Sequence, residues 1–223
     1  MADASLTPVT RFGLIPRRPG MTLEQFQAHY RDIHGPLGAQ MPGLLRYWQN
    51  HRIAPPRGPA LPWPGFDACS ELDAESVEAH LEMARSPIVR GAIAEDEPKL
   101  LDMPKRSIAW TRRVVAKDEI GAGVRLLTFI RRSPSRAQSE LAAVLQADER
   151  RGEGARGREL LLALERLPDG VVSSFDAVEA LWFHDVADAS DYLDSGRAER
   201  DRMAIAGVAT ATERLLADVN LVV

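Results

Sequence analysis

Short runs with alternating or β-branched apolar positions recur along this chain, and segments with apolar spacings of three and four separate them. VTRFGLI (9–15) is a β-rich run closed by PRRPG, which predicts a strand and a turn. Thr22 then precedes Leu23, with Gln25 three residues on, the pattern of a capping box. Leu23, Phe26, Tyr30 and Ile33 form one apolar stripe, and Gly35-Pro36 is expected to stop the helix. LLRYWQNHRI (44–53) and FDACSEL (66–72) predict two more strands, on either side of a proline-rich loop. Asp73 is expected to cap a helix through AESVEAHLEMARS. A short helical piece follows Pro87, and RSIAWTRRVV (106–115) is a fourth strand. The order is βαββαβ, a ferredoxin-like unit.

KDEIGAG (117–123) reads as a linker, after which the pattern restarts. VRLLTFI (124–130) is a strand and SRAQSELAAVLQADER is helical. FDAVEALWF (175–183) is a strand, residues 187–217 read as helix, and VNLVV ends the chain as a strand. RELLLALERL (158–167) has helical propensity, but the repeat argues for a strand. FDACSEL at 66 and FDAVEAL at 175 lie 175 − 66 = 109 residues apart, and IPRRPGMTLEQF at 15 and IRRSPSRAQSEL at 130 lie 130 − 15 = 115 apart. The expected fold is therefore α+β: two tandem ferredoxin-like βαββαβ units, residues 1–116 and 124–223, whose antiparallel sheets pack into an intrachain α+β barrel. Such a chain covers its own sheet faces, as a monomer with an internal pseudo-dimer or as a homodimer.

Composition narrows the function classes. The 223 residues carry a formal charge of −4, so no broad basic field invites nucleic acid despite paired arginines at 17–18, 112–113, 131–132 and 150–151. A single cysteine, Cys69, excludes an intrachain disulfide and fits a reducing compartment; it reads as a small buried apolar residue. The N-terminal stretch does not read as a signal peptide, and no apolar run is long enough for a membrane helix. The expected location is cytoplasmic, without a membrane partner. No nucleotide-binding glycine motif or metal-ligand cluster is visible, so neither cofactor nor metal is expected.

The polar chemistry gathers in FQAHYRDIHGPLG (26–38). His34 lies in the last predicted turn, where the helix dipole favours imidazolium and burial opposes it. That balance suits a general acid or base, or a structural C-cap. Tyr30 lies one turn earlier and could present its hydroxyl to the same cavity. Five residues separate His29 from His34, about 140° around an α-helix, which rules out one metal held by both. Along the second strand Tyr47, Gln49 and His51 share one face, and Arg46, Trp48 and Asn50 the other. Asp67 and Glu71 share a face of the third strand, where either could orient an imidazole. Trp63 and Trp110 are candidate cavity walls.

HYRDIHGPL at 29–37, with GMTLEQF before it and RYWQN after it, resembles the EthD-type proteins of the dimeric α+β barrel superfamily; FDACSEL and ARSP (84–87) fall where that family places its third strand and second helix. The resemblance spans about residues 8 to 115. It implies action on small hydrophobic or aromatic carbonyl compounds, by decarboxylation, isomerisation, cyclisation or cofactor-free oxygenation, while some superfamily members bind haem. Gln49 and Asn50 resemble the family's Gln-Asn pair, so one of them is expected to meet a ligand. In the second half the offset of 115 sets Leu145 against Tyr30 and Glu149 against His34, so one working cleft is expected, in the first half. Three readings stay open: a cofactor-free enzyme in which His34 and Tyr30 act with His29, Tyr47, Gln49, Asn50, Asp67, Trp63 and Trp110 around the substrate; a non-catalytic binder or stress-response module for a small hydrophobic ligand; and a haem protein.

Overall fold

Strand β1 (Val9–Ile15) turns Phe12 and Leu14 to one side and Arg11, Gly13 and Ile15 to the other, and this alternation sorts the whole molecule into an inside and an outside. A computed structural model describes residues 8–53, 61–118, 121 and 123–223. The first half continues with β2 (Arg46–Arg52), β3 (Ala68–Ala74) and β4 (Ser107–Asp118). The second contributes β5 (Val124–Arg132), β6 (Gly157–Ala163), β7 (Ala177–Phe183) and β8 (Ala209–Leu221). The eight strands close a barrel in the order β1-β3-β2-β8-β5-β7-β6-β4. Each half thus has the same internal order, β4-β1-β3-β2 and β8-β5-β7-β6. Antiparallel pairing of β2 with β8 and of β4 with β6 joins them. The repeat holds at strand level: β5 starts 124 − 9 = 115 residues after β1, and β7 starts 177 − 68 = 109 after β3. The segment 158–167 is a strand in its first part, as the repeat required.

Inside, one end of the barrel is apolar. Phe12, Leu14, Leu127, Phe129, Leu161, Val178 and Leu215 fill it, with Phe12 and Phe66 edge-on to Phe129 at 5.7 and 5.4 Å. The other end is ionic. Arg125 of β5, fully buried, donates to Glu71 of β3 at 2.8 Å and lies 3.7 Å from Glu159 of β6. Arg46 reaches Glu71 and Asp73 at 2.9 Å, Arg113 reaches Glu159 at 2.7 Å, and the Trp182 N–H donates to Glu159 at 2.9 Å. Three arginines thus face three carboxylates; burial pushes Glu71 up, against the pull of Arg125 and Arg46. Burial pushes Glu159 up, but Arg125 and Arg113 hold it below its ordinary pKa.

Outside, helices cover both sheets. Thr22 caps α1 (Leu23–His29) with both bonds of the capping box. The helix does not stop at Gly35-Pro36. It widens into a π-turn over Tyr30–His34 and resumes as α2 (Gly35–Gly38), because the Gly35 N–H bonds Tyr30 O, five residues back, and Pro36 falls at the start of the new turn where its missing N–H costs nothing. Asp73 caps no helix. It stays in β3, accepting from Thr10 Oγ1 at 2.7 Å, and Ser76 caps α3 (Val77–Arg85). A second π-turn, Val89–Ile93, leads into α4 (Ala94–Leu100). In the second half α5 (Gln138–Ala147) is followed by α6 (Val186–Asp194) and α7 (Gly196–Ala204). The helix expected through residue 217 ends at 204. Residues 209–217 are strand instead, because pairing with β5 along their length, joined by β2 at Ala217, outweighs their local helical propensity. Lys117 and Asp118, expected in a linker, belong to β4; residues 119, 120 and 122 of that segment lie outside the described residues, as do 54–60 of the proline-rich loop. Among the described residues no helix is long and apolar enough to cross a membrane.

Two outcomes follow. Arg125→Met leaves Glu71 and Glu159 short of their central cation, and is expected to cost about 3–5 kcal/mol in urea unfolding; a loss below about 1 kcal/mol would show the cluster to be dispensable. Burial, with Arg31 nearby, pushes His51 from 6.5 down to about 4. The folded state therefore favours neutral His51. That stability is present above pH about 6.5 and is lost as pH falls toward 4, up to about 3 kcal/mol in all. His51→Gln is expected to flatten the fall of the urea midpoint between pH 7 and 4.5, and an unchanged fall would contradict the assignment.

Candidate active site

The π-turn decides where the two histidines point. Residues five apart line up on a π-turn, so His29 and His34 converge instead of diverging by the ~140° of a regular helix. Both meet Asp96 of α4. His29 Nε2 lies 2.8 Å from Oδ1 and His34 Nδ1 lies 3.0 Å from Oδ2, with Asp96 only 4% exposed. Burial would raise this carboxyl, but the bonds from His29 and then His34 hold it below its ordinary pKa. An ionised carboxylate can only accept, so both ring nitrogens carry hydrogen and donate. That assigns the proton of neutral His34 to Nδ1 and leaves Nε2 as a lone pair. Phe26, Tyr30 and His34 stack in a column, at 5.7 and 5.6 Å, which fixes the ring plane.

The glycines of HGPLG are packing devices. A Cβ on Gly35 would sit 2.9 Å from Gln49 Nε2, and one on Gly38 would sit 2.6 Å from Tyr47 Cε1. Their absence lets the helix end close onto β2, where Gln49 Nε2 donates to Tyr30 O at 2.6 Å and to the Tyr47 hydroxyl at 3.1 Å.

A cavity of about 460 Å³ opens between the outer face of β4-β1-β3-β2 and the helices above it. His34 and Tyr47 lie on its wall. Trp110, His80, Ser70 and Arg11 line it too, with Leu72, Met83, Ile93 and Ile108 as apolar wall. Tyr47 accepts from Gln49 and so keeps its own proton to give; burial pushes its pKa up to about 12, which keeps it protonated. His80 Nε2 donates to Val9 O at 3.0 Å, and burial pushes its pKa down, so it is a neutral part of the wall beside Trp110.

The other expected residues are placed as follows. Tyr30 is fully buried behind the wall, its phenol pushed well up by burial and then by Tyr47. Gln49 is likewise buried behind the wall, and its Oε1 accepts from Asn220 at 3.2 Å. His29 lies on the far side of Asp96. Tyr47, Gln49 and His51 face the helices, so Asn50 faces the barrel interior, where it donates to Cys69 O at 3.1 Å. Glu71 also points inward, onto Arg125, so the orienting carboxylate is neither Glu71 nor Asp67. Asp67 lies between Arg17 and Arg52, 3.5 Å from each, outside the cavity. Trp63 is 55% exposed and no cavity wall, because its proline-flanked segment runs over the surface beside Arg17 and Lys105. Cys69 is buried in the barrel, its thiol pushed well up by burial and then by Glu71. The sequence patterns give no role to Asp96, His80 or Arg11. For Asp96 a signal exists: Ile93, Asp96 and Leu100 fall on one helical face, so an acid occupies an apolar stripe. Among the described residues no group of three or more His, Cys, Asp or Glu is placed to hold a metal.

The matching place in the second half is filled. Ser70 corresponds at the offset of 109 to Glu179, which accepts from Arg151 at 2.7 Å and Arg158 at 2.8 Å. Tyr192 and Gly152 tie down Asp201 beside them, and about 20 Å³ remains.

The sequence model of the EthD domain matches residues 18–104. No curated protein matches the sequence. Among solved structures, an anthrone oxidase-like protein superposes with a TM-score of 0.71 at 12% identity, covering 97% of this chain and 94% of its own. Two "putative monooxygenase" structures are also similar. The one from Lactobacillus acidophilus has a TM-score of 0.56 at 8% identity, with coverage of 96% and 95%. The one from Fusobacterium nucleatum subsp. nucleatum has 0.58 at 11%, with coverage of 97% and 94%. These likenesses extend over the whole barrel and concern its fold, whereas the HGPLG helix end, β2, β3 and the Asp96 helix all lie inside the matched segment. The similarity to the EthD domain thus covers residues 18–104, the segment that carries the cavity's helix end and its Asp96 partner.

Proposed function

We propose that the first-half cavity takes a proton from a small, mainly apolar carbonyl or phenolic compound, with His34 as the base. One observation carries this reading: His34 is fixed through Nδ1 to a buried carboxylate and stands on the wall of a cavity of about 460 Å³, so that its neutral form keeps Nε2 free to accept a proton. The substrate's C–H or O–H gives its proton to Nε2, and Asp96 stabilises the imidazolium that forms. Negative charge moves onto the substrate's carbonyl oxygen, where the Tyr47 hydroxyl donates. The apolar wall limits water and strengthens that bond. Tyr30 and Gln49 act behind the wall, by holding the helix end and Tyr47. An enolate or phenolate formed in this way is the common entry to decarboxylation, isomerisation, cyclisation and oxygenation. The names of the similar structures favour oxygenation, with dioxygen as co-substrate accepting the electrons.

The test is proton exchange in D2O, read by mass spectrometry at the carbon beside the carbonyl of anthrone and a panel of aromatic 1,3-diketones. At least one probe is expected to exchange faster with enzyme than in buffer. His34→Ala is expected to lower that rate about 10²-fold or more. Asp96→Asn and Tyr47→Phe are expected to lower kcat at least about 10-fold with little change in KM. An exchange rate unchanged in His34→Ala would overturn the reading and leave the cavity a binding site.

A further inference from the structure

We propose that Arg11 is the anion-recognising residue of this cavity and that its ligand carries a carboxylate. The inference rests on the cavity being the ligand site described above, but on different residues. Arg11 stands on the helix-facing side of β1, between Leu72 of β3 and Trp110 of β4. Among the described residues its guanidinium has no carboxylate within ion-pair distance and makes no hydrogen bond; its close partner is the Trp110 ring, 5.8 Å from the guanidinium carbon. The most deeply buried arginines are matched. Arg125 meets Glu71, and Arg151 and Arg158 share Glu179. The carboxylate nearest in the cavity wall, Glu97, is already engaged by Arg106 at 2.9 Å. Burial, and then Arg106, disfavour the charge on Arg11, and an arriving anion would reverse both effects.

The chemistry selects a carboxylate. One guanidinium fork matches one planar, singly charged group. Trp110, Leu72 and Ile108 beside Arg11 suit an apolar ring. Strands β1 and β2 are separated by β3, so Arg11 and Tyr47 stand about 10 Å apart across the sheet, the reach of a fused two-ring acid. The acid would sit at the Arg11 end and the reacting carbon at the His34 end.

Calorimetric titration with 1-naphthoate and with the neutral 1-naphthamide tests this. The wild-type protein is expected to bind the acid at least about 10-fold more tightly than the amide. Arg11→Met should erase the preference and Arg11→Lys should keep part of it, with thermal melting confirming that both variants fold. His34→Ala should keep the preference, so a failed base assignment and a failed anion site are told apart. Equal affinities in the wild-type protein, binding of neither probe, or a preference that survives Arg11→Met would each overturn the proposal.

Discussion

A four-stranded sheet with helices on one side leaves one apolar face and two unpaired edges. Everything else in this molecule is arranged around covering them. The chain does so with a second copy of its own pattern. β2 zips to β8 and β4 to β6, which removes the edges, and the two bare faces become the inside of one barrel. The price is a core shared by residues far apart in sequence, and at one end that core is ionic. Glu71, Arg125 and Glu159 come from three different strands of both halves, so the cluster fixes how the halves meet. With apolar and ionic side chains packed inside the barrel, the first-half cavity lies on the outer side, between sheet and helices.

The two halves use that outer space differently. In the first, small residues on the sheet, Gly13 beside Ser70, leave room beneath the helices; a Cβ on Gly13 would lie 2.5 Å from Ser70 Oγ. In the second, Glu179 occupies the position of Ser70 and gathers Arg151 and Arg158, which closes the space. The exchange of Ser70 for Glu179, with the arginines that Glu179 gathers, accompanies the change from an open cavity to a packed ion cluster on the same scaffold.

Much of this was legible in the sequence. The Thr22 capping box, the alternation along β2 and the repeat of FDACSEL in FDAVEAL led to the barrel, and the repeat overruled local propensity correctly at residues 158–163. The same propensity misled at 209–217, where nothing in the local pattern announces a strand paired along its length with β5. At the site, His34 was visible as chemistry and its partner was not. Regular helix geometry set His29 and His34 apart, and a π-turn brought them together, a register change of one residue that the Gly-Pro sequence permits but does not declare. Asp96 is 62 positions from His34, so only the tertiary packing of α4 against the first helix makes it the orienting group.

The central claim is the protonation pattern that Asp96 imposes on His34. Nitrogen-detected NMR of the histidine rings, at a pH where His34 is neutral, reads it directly. The account predicts a proton on Nδ1, shifted to low field by Asp96 and altered in Asp96→Asn, with Nε2 bare toward the cavity. A proton on Nε2, or a His34 signal indifferent to Asp96→Asn, would contradict it.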